Sequence, residues 1–144
     1  MNPKHKKLSG KYDSFAALLQ AAGLRPTRQR MVLAKWLFSG CPKHVTVAEA
    51  RVAVRKMRAG VSLATVYNVL NDFSRAGLLR QVAVSGGPVF FDTNVDAHHH
   101  LFDEKSERLS DISPSSIRFA RTPIIPFGRR LSRIDVVVRV RAIE

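Results

Sequence analysis

The stretch that decides the fold is residues 61–77, which read VSLATVYNVLNDFSRAG. Ser62 can cap a helix that continues to about Ala76, and Gly77 is a typical stop signal. Apolar side chains recur at helical spacing and predict one buried stripe, which consists of Val66, Val69, Leu70 and Phe73. The opposite face is small and polar, with one aromatic ring, and consists of Ala64, Thr65, Tyr67, Asn68 and Asn71. It lacks the alternating Glu and Lys of an ordinary solvated helix.

Three more helices are predicted before this one. The first follows Ser14, the second opens at Pro26-Thr27, and the third begins at a capping box formed by Thr46 and Glu49. Apolar spacing predicts that the third helix buries four of its side chains. These are Val47, Ala50, Val54 and Met57.

A β-hairpin is predicted directly after the fourth helix. Residues 78–84 and 89–93 read as strands, and the Ser-Gly-Gly-Pro sequence between them favours a tight turn. Helices followed by such a hairpin are typical of a winged helix-turn-helix, whose last helix enters the major groove of DNA. The polar face of the fourth helix, which includes Asn68, offers hydrogen bonds to base edges. The residues placed to contact phosphates or the minor groove are Arg25, Arg28 and Arg30.

Charge is distributed unevenly along the 144 residues. Residues 1–90 contain 15 Lys and Arg against three acids, whereas residues 91–144 contain nine against eight. A net charge of +12 followed by one of +1 indicates that the first part meets a polyanion and the second does different work. A basic RNA-binding module is an alternative that the charge alone leaves open.

The composition is that of a globular protein, with 45% hydrophobic and 24% charged residues. The chain has no run of 18 apolar residues and no secretory signal, so we expect a cytoplasmic protein with no membrane partner. Its single cysteine, Cys41, excludes an internal disulfide and a structural zinc site of the CxxC type.

The predicted fold class is α+β, in two domains. A flexible basic arm (1–12) precedes a winged-helix DNA-binding domain (13–93), a hinge (94–97) and a small α/β dimerisation and sensing domain (98–144). The last segment offers two or three strands and one short helix, which are marginal alone. Pairing with a second copy would stabilise it and would match two operator half-sites, so we expect a homodimer.

Three consecutive histidines open the second domain. In a strand, His98 and His100 point to one face and His99 to the other. Two imidazoles on one face form half of a metal site, which Asp92 and His44 have the right chemistry to complete. Nitrogen and oxygen ligands without a thiolate favour Mn²⁺, Fe²⁺ or Zn²⁺. A histidine-rich polar loop that binds nothing is the alternative.

Several of these segments resemble the ferric uptake regulator family, over residues 15–112. They are Gly23-Leu-Arg-Pro-Thr-Arg-Gln-Arg, His44-Val-Thr, Val61-Ser-Leu-Ala-Thr-Val-Tyr-Asn, Ala76-Gly-Leu-Leu-Arg, Phe91-Asp-Thr-Asn and the histidine run. Within the family, Tyr67-Asn68, the unbroken histidines and the lack of CxxC pairs are most similar to the haem-responsive iron response regulator (Irr) branch. The resemblance implies a dimeric repressor or activator of iron homeostasis that binds an A/T-rich operator.

By position, the resemblance implies a sensing site near the domain junction. Its residues are His44, Asp92, His98 and His100. The resemblance also implies that Tyr67 touches thymine methyl groups, with Thr65 and Ala64 beside it, and that Arg25 reaches the minor groove. A second family metal site would use His99 and an acid near Asp111, although no histidine follows residue 100 to complete it.

Haem is the other ligand that the resemblance implies, with His98, His99 and His100 as candidate ligands. Cys41-Pro42 could add a thiolate, whose direction the proline would fix. Within the family, the alternatives are sensors of manganese, iron or peroxide, and zinc sensing is less expected without cysteine ligands. A metallo-hydrolase is a remote alternative, since a winged helix offers no obvious substrate cleft. We therefore expect that the protein is not an enzyme.

Overall fold

The computed structural model describes residues 14–143. Their contacts divide the chain into two compact units, with the division between Val95 and Asp96. The basic arm predicted for residues 1–12 lies outside the described residues. In the part of the chain that the structure describes, no helix is long and apolar enough to span a bilayer.

Within residues 14–95, the first unit has four helices: α1 (Phe15–Ala21), α2 (Arg28–Phe38), α3 (Val47–Lys56) and α4 (Leu63–Arg75). Each begins at a hydroxyl side chain that accepts a hydrogen bond from a backbone N–H of the first turn. The predicted capping box of α3 is present, because the Glu49 carboxylate also accepts from the Thr46 N–H at 2.8 Å. The predicted helix starts are therefore confirmed.

The interior of the first unit follows the apolar spacing of the helices. In α4 the whole predicted stripe is buried: Val66, Val69, Leu70 and Phe73. In α3 the prediction is correct for Ala50 and Val54, while Val47 is half-buried. It is wrong for Met57, which is 45% exposed because it is the C-cap residue, after the last full turn of the helix.

A sheet completes the first unit, with three strands among its described residues: β1 (His44–Val45), β2 (Arg80–Ala83) and β3 (Val89–Asp92). The strands are antiparallel in the order β1-β3-β2. β2 and β3 form the predicted wing hairpin. β1 was not predicted, because two residues are too few to show an alternating pattern.

The second unit is a separate small sheet built from β4 (His99–Asp103), β5 (Arg108–Ile112) and β6 (Val137–Val140). β4 and β5 form an antiparallel hairpin around the turn 104–107, and β6 runs parallel to β4 on its other side. The expected short helix is the 3-10 turn Pro114–Ser116. Helices and sheets together confirm the α+β class.

Candidate functional site

The polar face of α4 is presented to solvent because the opposite stripe is fixed in the core. Ala64, Tyr67 and Asn68 are exposed, and 54% of Tyr67 is accessible. Thr65 is half-buried, and its hydroxyl accepts a hydrogen bond from Ser62 Oγ at 2.9 Å. A large aromatic ring beside small polar side chains can enter the major groove and contact base edges there.

Polar bridges hold α4 against its neighbours. Arg30 of α2 donates to Asp72 of α4 at 2.9 Å and to the main-chain carbonyl of Arg25 at 3.0 Å. Arg30, which the sequence suggested as a DNA contact, is therefore used inside the protein, whereas Arg25 is exposed. In the wing, Gln81 Nε2 donates to the side-chain amide oxygen of Asn71, Oδ1, at 2.9 Å. The wing and the loop before α2 are thus tied to the same helix.

The first unit supplies one imidazole and one carboxylate. Strand pairing places His44 opposite Asp92, with His44 Nε2 3.2 Å from Asp92 Oδ2. Asp92 is fully buried, and its Oδ1 accepts from the Asn94 N–H at 2.8 Å. A buried carboxylate needs such partners to remain charged. The pair can act as two hard ligands for a divalent cation.

The second unit brings three ligand atoms together. The Nε2 atoms of His98 and His100 are 2.9 Å apart, and Asp111 Oδ1 lies 3.0 Å from the first and 3.5 Å from the second. His98 Nδ1 is 2.6 Å from the Asp96 carbonyl, so the proton belongs on Nδ1 and the Nε2 lone pair faces the cluster. Converging nitrogen and oxygen lone pairs on buried histidines fit a divalent metal ion.

Asp111 is a candidate ligand that the sequence analysis did not place with His98 and His100. The resemblance assigns an acid near this position to a second site with His99, but the β4–β5 register pairs Asp111 with His100 and puts it on that strand face. The pairing of Asp111 with His100 could have been predicted from the hairpin, because a short turn fixes which residues lie opposite each other.

His99 points to the other face of β4, as the strand alternation predicts. Its Nδ1 accepts the Val136 N–H at 3.3 Å, and its ring packs edge-on against Phe119 with centroids 5.9 Å apart. A neutral imidazole that accepts at Nδ1 carries its proton on Nε2, so neither nitrogen keeps a free lone pair. These contacts favour a structural role for His99 over metal or haem ligation.

Cys41, the remaining haem candidate, is exposed in the turn after α2. It belongs to the first unit, whereas the three histidines belong to the second. Nearby, the Lys43 ammonium donates to the carbonyls of Ser39 at 2.6 Å and Leu37 at 3.3 Å, which caps the end of α2. Burial lowers the pKa of Lys43, and the neighbouring Cys41 acts on that pKa in the opposite direction.

Together, the winged-helix unit, the small α/β unit and the His/Asp ligand groups define a metal-responsive DNA-binding protein. The model of the ferric uptake regulator family matches residues 21–127, and the chain belongs to that family. Members of this family are dimeric DNA-binding transcription regulators. The expectation that this protein is not an enzyme is thereby confirmed, and the metallo-hydrolase alternative is removed.

Relatives of known name support the same class. The peroxide-responsive repressor PerR of Staphylococcus epidermidis is 28% identical over 111 residues, which cover 77% of this chain and 73% of the relative. The ferric uptake regulator from Pseudomonas aeruginosa with manganese is 25% identical, with a TM-score of 0.66 over 88% of this chain and 96% of that one. A zinc-bound manganese uptake regulator is 26% identical, with a TM-score of 0.69 over 91% and 100%. The Irr branch stays a prediction.

Proposed function

We propose that this protein is a dimeric repressor that binds an A/T-rich operator through α4 and is controlled by a divalent metal ion. The proposed ligands are His44, Asp92, His98 and His100, to which the hairpin register adds Asp111. The observation that carries the proposal is the meeting of three ligand atoms in the second unit, within 3.5 Å of one another.

The proposed ligand set couples metal binding to DNA binding because the first unit carries the recognition helix. Two of the ligands belong to that unit and three to the second. His44 and Asp92, together with His98, His100 and Asp111, would hold the ion, and its positive charge would neutralise the two carboxylates. For this to regulate DNA binding, the metal must bind one arrangement of the two units more tightly than the other.

On DNA, we propose that Tyr67 contacts thymine methyl groups, with Thr65, Ala64 and Asn68 beside it, and that Arg25 enters the minor groove. The exposure of Tyr67 and Arg25 supports this assignment. So does the Arg30 bridge, because it ties the Arg25 main chain to the recognition helix. We propose that a protein that binds operator DNA in this way acts in the cytoplasm.

The ligand chemistry favours Mn²⁺, Fe²⁺ or Zn²⁺, since the set contains nitrogen and oxygen but no thiolate. The manganese and ferric uptake regulators among the relatives support these ions. The PerR relatives support a peroxide-responsive alternative that uses the same ligands with Fe²⁺. Mass spectrometry of the Fe²⁺-loaded protein after peroxide would separate the two functions, because peroxide sensing adds an oxygen atom to a ligand histidine.

Haem control of iron homeostasis is a more specific alternative, which the resemblance to the haem-responsive branch of the family supports. It rests on the run His98–His100 and on the exposed Cys41 before Pro42. In that branch, the repressor would hold DNA when iron is scarce and release it when haem binds. The hydrogen bond from the Val136 N–H to His99 favours the divalent metal, because it occupies one of the haem candidates.

The deciding experiment is fluorescence anisotropy of an A/T-rich palindromic duplex with the metal-free protein, repeated with Mn²⁺ and with haem. Salt must be held constant, because phosphate contacts make affinity salt-dependent. We expect Mn²⁺ to tighten operator binding and the double variant His98→Ala, His100→Ala to abolish that response. His99→Asn is the matched control, since its amide oxygen can still accept the Val136 N–H.

Each outcome has one meaning. A metal response that survives in the double variant removes these histidines from sensing. Tight metal-free binding that haem weakens, with no effect of Mn²⁺, replaces metal control with haem control. A wild-type protein that binds operator and random duplex equally well under every condition contradicts the proposed function as a whole.

A further inference from the structure

The near-neutral charge of residues 91–144 is itself unevenly distributed along that stretch. Residues 91–112, which carry the histidines, contain two basic residues against six acids, a net charge of −4. Residues 113–144 contain seven arginines against two acids, a net charge of +5. The near-neutral total of residues 91–144 therefore hides a second basic region, which starts where the ligand-bearing hairpin ends.

Most of this positive charge lies in residues 117–136, which we call the arginine segment. The segment contains neither helix nor strand, and its arginines are exposed. Arg133 pairs with Asp135 at 2.7 Å, and after the segment Arg139 and Arg141 share Glu104. Among residues 14–143, none of the ion pairs includes the other four arginines, which are Arg118, Arg121, Arg129 and Arg130.

A tight turn at the centre of the segment exposes an aromatic ring between these arginines. The Arg129 N–H donates to the Pro126 carbonyl at 3.0 Å, and Gly128 adopts a φ of 74°, which suits the third position of such a turn. Phe127 stands at the tip with its whole side chain accessible, and Ile124 is 97% exposed. The turn therefore exposes two apolar side chains, three residues apart, in the interval between Arg121 and Arg129.

We infer that the arginine segment is a second DNA-contacting surface, separate from the recognition helix. Its four free arginines would bind phosphates of duplex DNA, and Phe127 would lie against sugar and base edges in a groove. The positive charge of the arginines favours a polyanion as the partner. The exposed Phe127 ring favours a polyanion such as DNA, which has apolar surface between its phosphates. The inference rests on the DNA-binding function of the family. It assigns a role to arginines that lie outside the recognition helix α4.

The test uses the full-length protein and a duplex that extends about 10 bp, one helical turn, beyond the operator on each side. The variants are the pairs Arg118→Gln with Arg121→Gln and Arg129→Gln with Arg130→Gln. Arg133→Gln with Arg141→Gln is the matched control, since both of those guanidinium groups have carboxylate partners. The readout is the slope of log affinity against log salt concentration.

We expect each test pair to make that slope less steep by about 0.9 per arginine that neutralises a phosphate, and the control pair to change it little. The preference for operator over random duplex should stay the same in all these variants. Phe127→Ser should weaken binding at fixed salt without changing the slope. Slopes equal to wild type in both test pairs would overturn the inference.

Other roles for the segment give different results. Test pairs that sediment as monomers while wild type is a dimer would show an interface between copies and overturn the inference. Test pairs that lose binding to phosphatidylserine vesicles but keep the wild-type salt slope on DNA would show a lipid partner and overturn it as well. Loss of operator preference in Tyr67→Ala with unchanged slopes in the arginine pairs would sink this inference and leave the proposed function intact.

Discussion

The two units have different kinds of interior. In the first unit, 17 buried hydrophobic residues form one cluster contributed by the helices and the sheet. In the second, the hydrophobic side chains buried among the described residues are Phe102 and Leu109. The other buried side chains there are the imidazoles of His98, His99 and His100.

This difference indicates what each unit needs in order to be stable. Hydrophobic burial supplies about 25 cal/mol per Å² and is available to the first unit without any partner. The second unit buries histidines where a hydrophobic core would otherwise be, and two of them, His98 and His100, are proposed metal ligands. Its stability should therefore depend on the ion that these two bind and on a second copy. This division suits a regulator. The winged helix has its own core, and the sensing unit is completed by the ion that it senses.

The largest expected effect is a core substitution in the first unit. Phe73 is fully buried, and its ring lies 6.0 Å from that of Phe38. Phe73→Ala should lower the free energy of unfolding by about 3–5 kcal/mol, because it leaves a cavity in a close-packed interior. Urea unfolding followed by the fluorescence of Trp36, the single tryptophan, reports on this unit.

Val52→Ala is the control for that substitution, since Val52 is 51% exposed and should change stability by less than about 0.5 kcal/mol. If Phe73→Ala cost no more than Val52→Ala, the contrast between a packed and an unpacked unit would be lost.

Metal removal should have the next largest effect, and it should act on the second unit. An ion at about 100 times its dissociation constant stabilises the state that binds it by about 2.7 kcal/mol. We expect Mn²⁺ to slow amide hydrogen exchange in β4 and β5, and to change exchange in α2 much less, because the first unit has its own core. The double variant His98→Ala, His100→Ala should show no such protection. Equal protection of α2 and β4 would mean that both units depend on the ion alike.

A smaller effect is expected on the surface of the first unit. Tyr67→Ala should weaken operator binding by about 1–3 kcal/mol and leave binding to random duplex nearly unchanged. Its urea unfolding curve should match that of wild type, since Tyr67 projects into solvent. Equal losses on operator and random duplex in competition anisotropy would remove Tyr67 from base reading.

The smallest effect concerns the attachment of β6. A hydrogen bond from Arg139 Nε, at 2.8 Å, holds the pKa of Glu104 below its usual 4.5. Desolvation raises this pKa, and the charges of Arg141 and Arg139 lower it further. Because the pKa is lowered in the folded state, the pair stabilises the protein above the unfolded pKa and stops doing so as the pH falls through the folded value.

Glu104→Gln should therefore increase hydrogen exchange in β6 near neutral pH and match wild type at a pH below the depressed pKa. Glu107→Gln, in the same turn, is the control and should change little at either pH. A difference between Glu104→Gln and wild type that stayed constant across this pH range would exclude the ion pair as the cause.

The parts of the fold that could be predicted are those whose signal is local. The helix starts follow from cap residues, and the buried stripe of α4 follows from its apolar spacing. β1 could not be predicted, because two residues have no period and the strand exists through its pairing with β3. The exposure of Met57 depends on where α3 ends, and apolar spacing does not define the last residue of a helix to better than one or two positions.

The candidate site shows the same limit. Strand alternation was enough to place His98, directly before β4, and His100, within it, on one face. The alignment of Asp111 with His100 is a property of two strands at once, so it depends on the length of the turn between them. The arginine segment has no period of either kind, and its composition alone did not suggest a role.

The four-residue turn 104–107 has a consequence for how this protein can change over evolutionary time. Asp103 Oδ1 accepts the N–H groups of Lys105 at 2.8 Å and Ser106 at 3.4 Å, and Glu107 adopts a φ of 53°. Inserting or deleting one residue here would move Asp111 to the face of His99. The connection from residue 117 to 136 imposes no such register. Descendants of this sequence should therefore vary in length along the arginine segment and keep the turn at four residues.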